Sequence, residues 1–261
     1  MIKLTEIKKL RGHRYLVKLL KNDVEHVHIV HEETILHYNL LGPKTLTEQD
    51  YKRIIKSSEE DILYNKALYF IEFKMRTISE VKKQLRRTTQ NETLIDQMIV
   101  KLKKQGYLDD NKYTKEYITE KIEFDLIGPR YVKEKLIGKG IHFDLIDTHL
   151  LLYKEEYQYD KIRELLKKET KYTIKKPYIK AYQSIKGKLI NKGFNPGIVE
   201  SSMISCKEMI EDAVDEQGLL DVEIKKLKKG VNLKDFKEKD KLVKKLLTKG
   251  FRYDLVKEML Q

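Results

Sequence analysis

The first thirty residues alternate apolar and polar positions in short runs, IKLTEIKK, RYLVKLL and VEHVHIV, broken at Arg11-Gly12 and at Lys21-Asn22-Asp23. A period of two with turn residues between the runs predicts three short antiparallel strands. From about residue 31 the period lengthens. HEETILHYNL places Ile35, Leu36 and Leu40 on one helical face before Gly42-Pro43 stops it. TLTEQDYKRIIKS then begins a second helix, with Thr47 as its N-cap and Asp50 three residues later. Residues 1–60 are therefore expected to form a small β-plus-helix module.

Beyond residue 60 the period is helical throughout, and one pattern returns. KLIGKGIHFDLI (135–146) is followed by KLINKGFNPGIV (188–199) and KLLTKGFRYDLV (245–256). In each, a leucine (Leu136, Leu189, Leu246) lies four residues before a glycine (Gly140, Gly193, Gly250), and a large apolar residue (Ile141, Phe194, Phe251) follows it. A glycine in the left-handed conformation just past a helix end puts those two apolar residues in contact, which is the arrangement of a Schellman cap. Apolar pairs Leu145/Ile146, Ile198/Val199 and Leu255/Val256 then mark a second helix, and Asn195-Pro196 is a strong helix start. QLRRTTQNETLI (84–95) is a weaker copy in which Thr89 and Gln90 replace the glycine and the apolar residue, so its turn must close differently.

One more helix precedes each pair: ILYNKALYFIEF (62–73), KYTKEYITEKIEF (112–124), YQYDKIRELLKKE (157–169) and DVEIKKLKK (221–229). The expected architecture is mainly α, with tandem three-helix repeats over 61–108, 109–154, 155–207 and 208–261 after the N-terminal module. A repeat of about fifty residues buries only a thin core, so neighbouring repeats should share interfaces in an elongated, curved body.

Charge adds direction to this scaffold. Charged residues make up 36% of the chain and the net charge is +13. Residues 1–60 hold 11 Lys and Arg against 9 Asp and Glu, whereas 61–261 hold 43 against 32. The segment 160–192 has 11 basic residues against Asp160, Glu164 and Glu169, and 224–250 is similarly lysine-rich. An anionic partner is expected, on the C-terminal part of the chain. Tyr172, Tyr178 and Tyr182 lie among the lysines, but Tyr182 with Ile185 and Leu189 has core spacing, so the lysines and not the tyrosines are the candidates. On LIGPRYVKEKLIGKGI (126–141), Val132 and Leu136 share a face and Arg130, Lys133 and Lys135 point outward. That polar face reads either as solvated surface or as a helix contacting an anion or partner. The candidate contact residues are Arg130, Lys133, Lys135, Lys139, Lys175, Lys176, Lys180, Lys188 and Lys192.

Motifs for chemistry are missing from the sequence. There is no GxxxxGK[ST], GxGxxG after a strand, HExxH, GxSxG or CxxC, so the chain does not read as an enzyme and no cofactor is expected. Cys206 is the only cysteine, which excludes an internal disulfide. His26, His28 and His31 have a spacing that could gather three imidazoles on a metal, but no second cluster supports it, and solvated strand histidines are the simpler reading; no metal is expected. No apolar run approaches the eighteen or so residues needed to span a bilayer, and a cytoplasmic, monomeric protein is expected.

GYLDDNKYTKEYITEK (106–121) followed by GPRYVKEKLIGKGI (128–141) resembles the central repeat of the RecX regulatory proteins of bacteria. Gly106, Tyr107, Leu108, Asp109 and Asp110 match the first part of that pattern; Gly128, Pro129, Val132, Leu136, Lys139, Gly140 and Ile141 match the second. ALYFIEFKMRTISEVKKQL (67–85) resembles the first repeat, so the likeness covers about 61–261, with Thr89, Gln90 and the lysine-rich last repeat departing from it. The resemblance implies a modulator of the RecA recombinase without catalytic activity, lodged in the groove of the RecA filament on DNA, which interferes with ATP hydrolysis, strand exchange and stimulated repressor self-cleavage. Weak, sequence-independent contact with single- or double-stranded DNA is part of that expectation. Two other readings stay open: a stand-alone DNA-binding protein using a glycine-capped helix pair as a helix-turn-helix, and a helical scaffold for another protein.

Overall fold

The computed structural model describes residues 1–227 and 235–260. The chain divides into two compact units: Met1–Tyr113 with Lys139–Ile141, and Thr114–Gly138 with His142–Gln261. It is mostly helical, with fourteen helices among the described residues and a small sheet at the N-terminus. No helix among the described residues is long and apolar enough to cross a membrane.

Strands β1 (Ile2–Lys9), β2 (Arg14–Lys21) and β3 (Val24–His31) form the antiparallel set that the alternation predicts. Asn22 and Asp23, at φ 51° and 62°, make the two-residue turn whose twist suits a hairpin, and both residue types tolerate that conformation. A two-residue strand β4 (Thr45–Leu46), too short to leave an alternation in the sequence, pairs with the other edge of β1, so the order is β3-β2-β1-β4. Ile2, Leu4, Val17, Leu19 and Val30 are buried together with Ile35, Leu40, Leu46, Tyr51 and Ile54.

Helix α1 (Glu32–His37) is shorter than its pattern predicts. Asn39 turns left-handed at φ 45°, and the Leu40 N–H reaches back to the Ile35 carbonyl at 2.9 Å, closing the helix early. Ile35 and Leu40 are therefore buried as expected, but Leu36 is 63% exposed.

The two helices read on either side of residue 60 are a single helix, α2 (Glu48–Glu72). The intervening KSSEED has no glycine or proline, and each polar residue at its buried side finds a partner. Ser58 donates to the Ile29 carbonyl at 2.6 Å, Ser57 meets Thr34 at 2.6 Å, and Asp61 accepts the His31 N–H at 2.7 Å. At 1.5 Å per residue this helix is about 37 Å long. Its first half covers the sheet through Tyr51 and Ile54; its second half buries Leu63 and Ala67 against α3 (Ile78–Leu85) and α4 (Glu92–Lys104). Thr47 caps it as expected, accepting the Asp50 N–H at 3.1 Å. The turn from α3 to α4, which lacks the glycine, closes through Thr88 and Thr89 N–H groups on the Leu85 carbonyl and through Asn91, whose side chain caps α4.

The remaining helices are α5 (Asp110–Phe124), α6 (Pro129–Gly138), α7 (Phe143–Leu150), α8 (Glu155–Glu169), α9 (Tyr178–Asn191), α10 (Pro196–Ser205), α11 (Lys207–Asp212), α12 (Glu216–Leu227), α13 (Phe236–Thr248) and α14 (Tyr253–Met259). The end of the helix read over 221–229 and the start of the basic segment 224–250 run into residues 228–234, which lie outside the described residues. Helix α11, which the repeat pattern does not contain, buries Ile210 in the core that α8, α9 and α10 share. Leu220, Leu242, Leu246, Phe251 and Val256 form the core of α12 to α14.

Gly140, Gly193 and Gly250 are left-handed at φ 79°, 86° and 94°. At the last two, the Phe194 and Phe251 N–H groups reach the Leu189 and Leu246 carbonyls at 3.4 and 3.3 Å, the long bond of a Schellman cap. Gly106 is a fourth such cap, ending α4: it has φ 79°, and the Tyr107 N–H bonds the Leu102 carbonyl at 3.0 Å.

These caps differ in what surrounds them. A Cβ on Gly106 would meet open space, whereas one on Gly193 would fall on the backbone nitrogen of Tyr131. Gly106→Ala should therefore cost only the left-handed penalty, about 1–2 kcal/mol. Gly193→Ala should add displaced backbone and lose roughly 2 kcal/mol more, within the range of severe overpacking. Urea unfolding of the two variants reads the difference; equal losses would mean that the Gly193 turn is not closely packed.

Candidate functional site

Three of the glycine-capped turns, at Gly140, Gly193 and Gly250, receive the start of an earlier helix. The turn Lys139–Ile141, which belongs to the first unit, is met by the start of α3, where Ser79 lies against Gly140. The α9–α10 turn is met by the start of α6, and the α13–α14 turn by the start of α9, where Lys180 Cγ would lie 2.7 Å from a Cβ on Gly250. The middle joint is the tightest. Gly128 and Gly193 face each other with no room for a Cβ on either. The Gly128 N–H donates to the Lys192 carbonyl at 2.8 Å and the Arg130 N–H to the Gly193 carbonyl at 3.0 Å. N–H groups left open at the start of α6 thus satisfy carbonyls left open at the end of α9, and the two helix dipoles meet head to tail. In the first joint the Thr77 hydroxyl does the same for the Lys139 carbonyl at 2.8 Å.

A second support sits under two of the turns. Gln158 of α8 and Glu216 of α12, both buried, accept the backbone N–H two residues past the glycine, from Asn195 at 3.1 Å and Arg252 at 3.0 Å. Glu216 also pairs with the Arg252 guanidinium at 2.7 Å, and Glu211 of α11 takes the same group at 3.1 Å. Periodicity could not reveal these supports, because Gln158 and Glu216 are polar residues on otherwise ordinary helix faces. Their signal is that each precedes a cap glycine by a similar interval, 35 and 34 residues.

The joints decide where the candidate cations stand. Arg130 and Lys192 are brought to one place by the α6–α9 joint; both are exposed, and neither has an ion-pair partner among the described residues. Lys175 and Lys176 are exposed on the loop before α9, likewise without an ion pair there. Lys180 packs on the Gly250 turn through its alkyl stem. The other four are engaged: Lys133 pairs with Asp147 at 2.5 Å, Lys188 with Glu169 at 2.6 Å, Lys139 with Glu80 at 3.0 Å, and Lys135 lies over the Tyr131 ring at 4.9 Å. Lys161, within the basic segment 160–192, is buried and donates to the Asp125 carbonyl at the end of α5. Sequence counting credits these lysines equally; acids brought near by folding remove several of them.

His26 and His28 share a face of β3, as their spacing requires, and are half-buried there beside the Tyr51 ring. Burial lowers the His28 pKa from its ordinary value, helped by neighbouring His26. His31 is turned toward His13 and caps α1. Among the described residues no cluster of His, Cys, Asp or Glu could hold a metal ion.

No family model matches the chain. A "Regulatory protein RecX" of Lactococcus lactis subsp. cremoris is 33% identical over 270 aligned positions, covering all of this chain and 98% of that protein. The chain belongs to the RecX family. A RecX of Listeria monocytogenes is 28% identical over 88% of this chain and 86% of its own length. Two RecX crystal structures are similar in fold. One has a TM-score of 0.62 at 25% identity, over 77% of this chain and 98% of that chain; the other, from Lactobacillus salivarius, has 0.53 at 27%, over 57% and 97%.

The positions that carried the RecX resemblance are mostly structural here. Gly106 caps α4, Leu108 is buried, and Asp109 accepts the Asn111 and Lys112 N–H groups at the start of α5. Asp110 accepts the Ile78 N–H at 2.9 Å, Gly128 admits a backbone, Val132 and Leu136 are buried, and Lys139 holds Glu80. Burial alone would raise the Glu80 carboxyl pKa, but hydrogen bonds from Lys139 and the Thr77 N–H outweigh it and hold the group below its ordinary value. A depressed carboxylate contributes stability that is full above its unfolded pKa and is lost as pH falls through the folded one. Glu80→Gln should thus be destabilising at neutral pH and nearly silent in strong acid, read as urea midpoints of both proteins across that range. A pH-independent difference would mean that Glu80 acts without its charge.

Proposed function

We propose that this protein is a non-catalytic cytoplasmic regulator, monomeric in solution, that binds in the groove of the RecA–DNA filament and inhibits recombinase, ATPase and coprotease activities. In this reading the three-helix repeats at 61–108, 109–154, 155–207 and 208–261 contact successive filament subunits, and cations on them face DNA phosphate or acidic protein surface. The observation that carries it is the α6–α9 joint, whose backbone bonds bring Arg130 and Lys192 into one turn-to-helix contact, both exposed and without acid partners among the described residues. Membership of a family whose members are named regulatory proteins adds support. Inhibition then follows from occupying the groove, with no bond made or broken.

The helix-turn-helix reading fares worse on the same geometry. A recognition helix needs a free first turn to meet base edges. The Asn195 N–H at the start of α10 is bonded to Gln158, and Arg252 at the start of α14 is held by Glu216 and Glu211. Both of these starts are already engaged, whereas the start of α7 carries no side-chain cap.

Adding the protein to RecA filaments on single-stranded DNA should lower ATP turnover at concentrations far below those of DNA sites; unchanged turnover over a broad concentration series would sink the regulatory reading. Reversing Arg130, Lys175, Lys176 and Lys192 to Glu should weaken filament binding while leaving the circular dichroism unchanged. If all four meet phosphates, the slope of log affinity against log salt should fall in magnitude by roughly 3. An unaltered slope would place the contact on protein surface or on other residues.

A further inference from the structure

The first unit holds an open cleft between the β1–β2 turn, β3, α2 and the α3–α4 turn, and cations gather along its lining. Arg11 and Arg14 approach from the hairpin, Lys66 from α2, and Arg87 from beyond α3. Their polar contacts are to neutral groups. The Arg14 Nε donates to the Arg11 carbonyl at 3.5 Å, Lys66 to the Thr88 hydroxyl at 3.2 Å, and Arg87 to the Gln84 amide oxygen at 3.2 Å. None of the four has an ion-pair partner among the described residues. Of the acids on the cleft, Asp61 is half-buried and bonded to the His31 N–H, while Glu72 is exposed.

Between these cations stand two rings that no core explains. Tyr69 in the last turn of α2 and Phe73 just past its end are 66% and 70% exposed and meet edge to face at 5.1 Å. A third ring, Phe70, is covered instead by Arg76, whose guanidinium lies 4.0 Å over it. A row of uncompensated cations with exposed aromatic faces along it is what a single strand requires: charge to follow the phosphates and π-faces for unpaired bases. An acidic peptide would use the cations and leave the rings idle. A duplex keeps its bases stacked internally.

We infer that this cleft is a binding site for single-stranded nucleic acid, with the backbone along Arg11, Arg14, Lys66 and Arg87 and bases on Tyr69 and Phe73. It would give the N-terminal module a task of its own, and it does not rest on recombinase binding. The test uses the full chain and a fluorescein-labelled oligothymidylate, followed by anisotropy without recombinase. Tyr69→Ala/Phe73→Ala should weaken binding by about tenfold or more, since stacking is worth roughly 1–3 kcal/mol per base. Tyr69→Trp/Phe73→Trp should retain it. Arg11→Glu/Arg14→Glu/Arg87→Glu should reduce the salt slope by about 2. All these positions are exposed, and thermal melts matching the parent verify that each variant folds. Binding indifferent to removal of the rings, equal affinity for a duplex of the same length, or ring-dependent binding of a polyglutamate peptide in preference to the oligonucleotide would each overturn the assignment. Because recombinase is absent, such a failure leaves the filament reading to its own experiment.

Discussion

A helix that ends on a left-handed glycine exposes carbonyls, and a helix that begins without a side-chain cap exposes N–H groups. This protein sets one against the other. At the α6–α9 joint the contact is backbone to backbone, which only two glycines permit, because a Cβ on Gly128 or Gly193 would occupy the partner's main chain. The rest of the second unit depends on that approach. It places Val132 and Leu136 in the interior, brings Arg130 and Lys192 into one turn-to-helix contact, and leaves the polar face of α6 outward.

Electrostatics follow from the same packing. A chain of net charge +13 has cations along most of its length, but folding brings Glu80, Asp147, Glu169 and Glu200 to particular lysines. Apart from the partly buried Glu80–Lys139 pair, these pairs are largely exposed and contribute little stability, and their consequence lies in which charges they leave over. Among the described residues, cations left without an ion pair include those at the α6–α9 joint, on the loop before α9, and around the cleft of the first unit. Two of the last group, Arg11 and Arg14, lie in residues 1–60, where 11 basic residues against 9 acidic give no hint of a cationic site.

Legibility in the sequence varied with how local each determinant is. The strands, the caps at Thr47, Gly140, Gly193 and Gly250, and the start of α10 at Asn195-Pro196 rest on residues within a few positions of one another, and all appear where expected. The length of α1 was missed because it depends on Asn39 turning left-handed, which an asparagine permits but does not demand. The continuity of α2 was missed because Ser57, Ser58 and Asp61 resemble a break until Thr34, Ile29 and His31 arrive from the sheet as partners. The partial burial of the β3 histidines is not legible locally because Tyr51, which packs beside them, is more than twenty residues away.

Local chemistry in the chain thus determined its alphabet of elements: which segments are strands, where helices begin, and where a glycine must end them. Those outcomes depend on backbone torsions and on contacts within a turn or two, and such terms are written in consecutive residues. Which turn receives which helix, which lysine meets an acid, and which aromatic rings stay uncovered were settled only when distant segments packed. Those outcomes depend on burial and on charges separated by up to about sixty residues, as for Lys139 and Glu80, and no local pattern encodes the pairing.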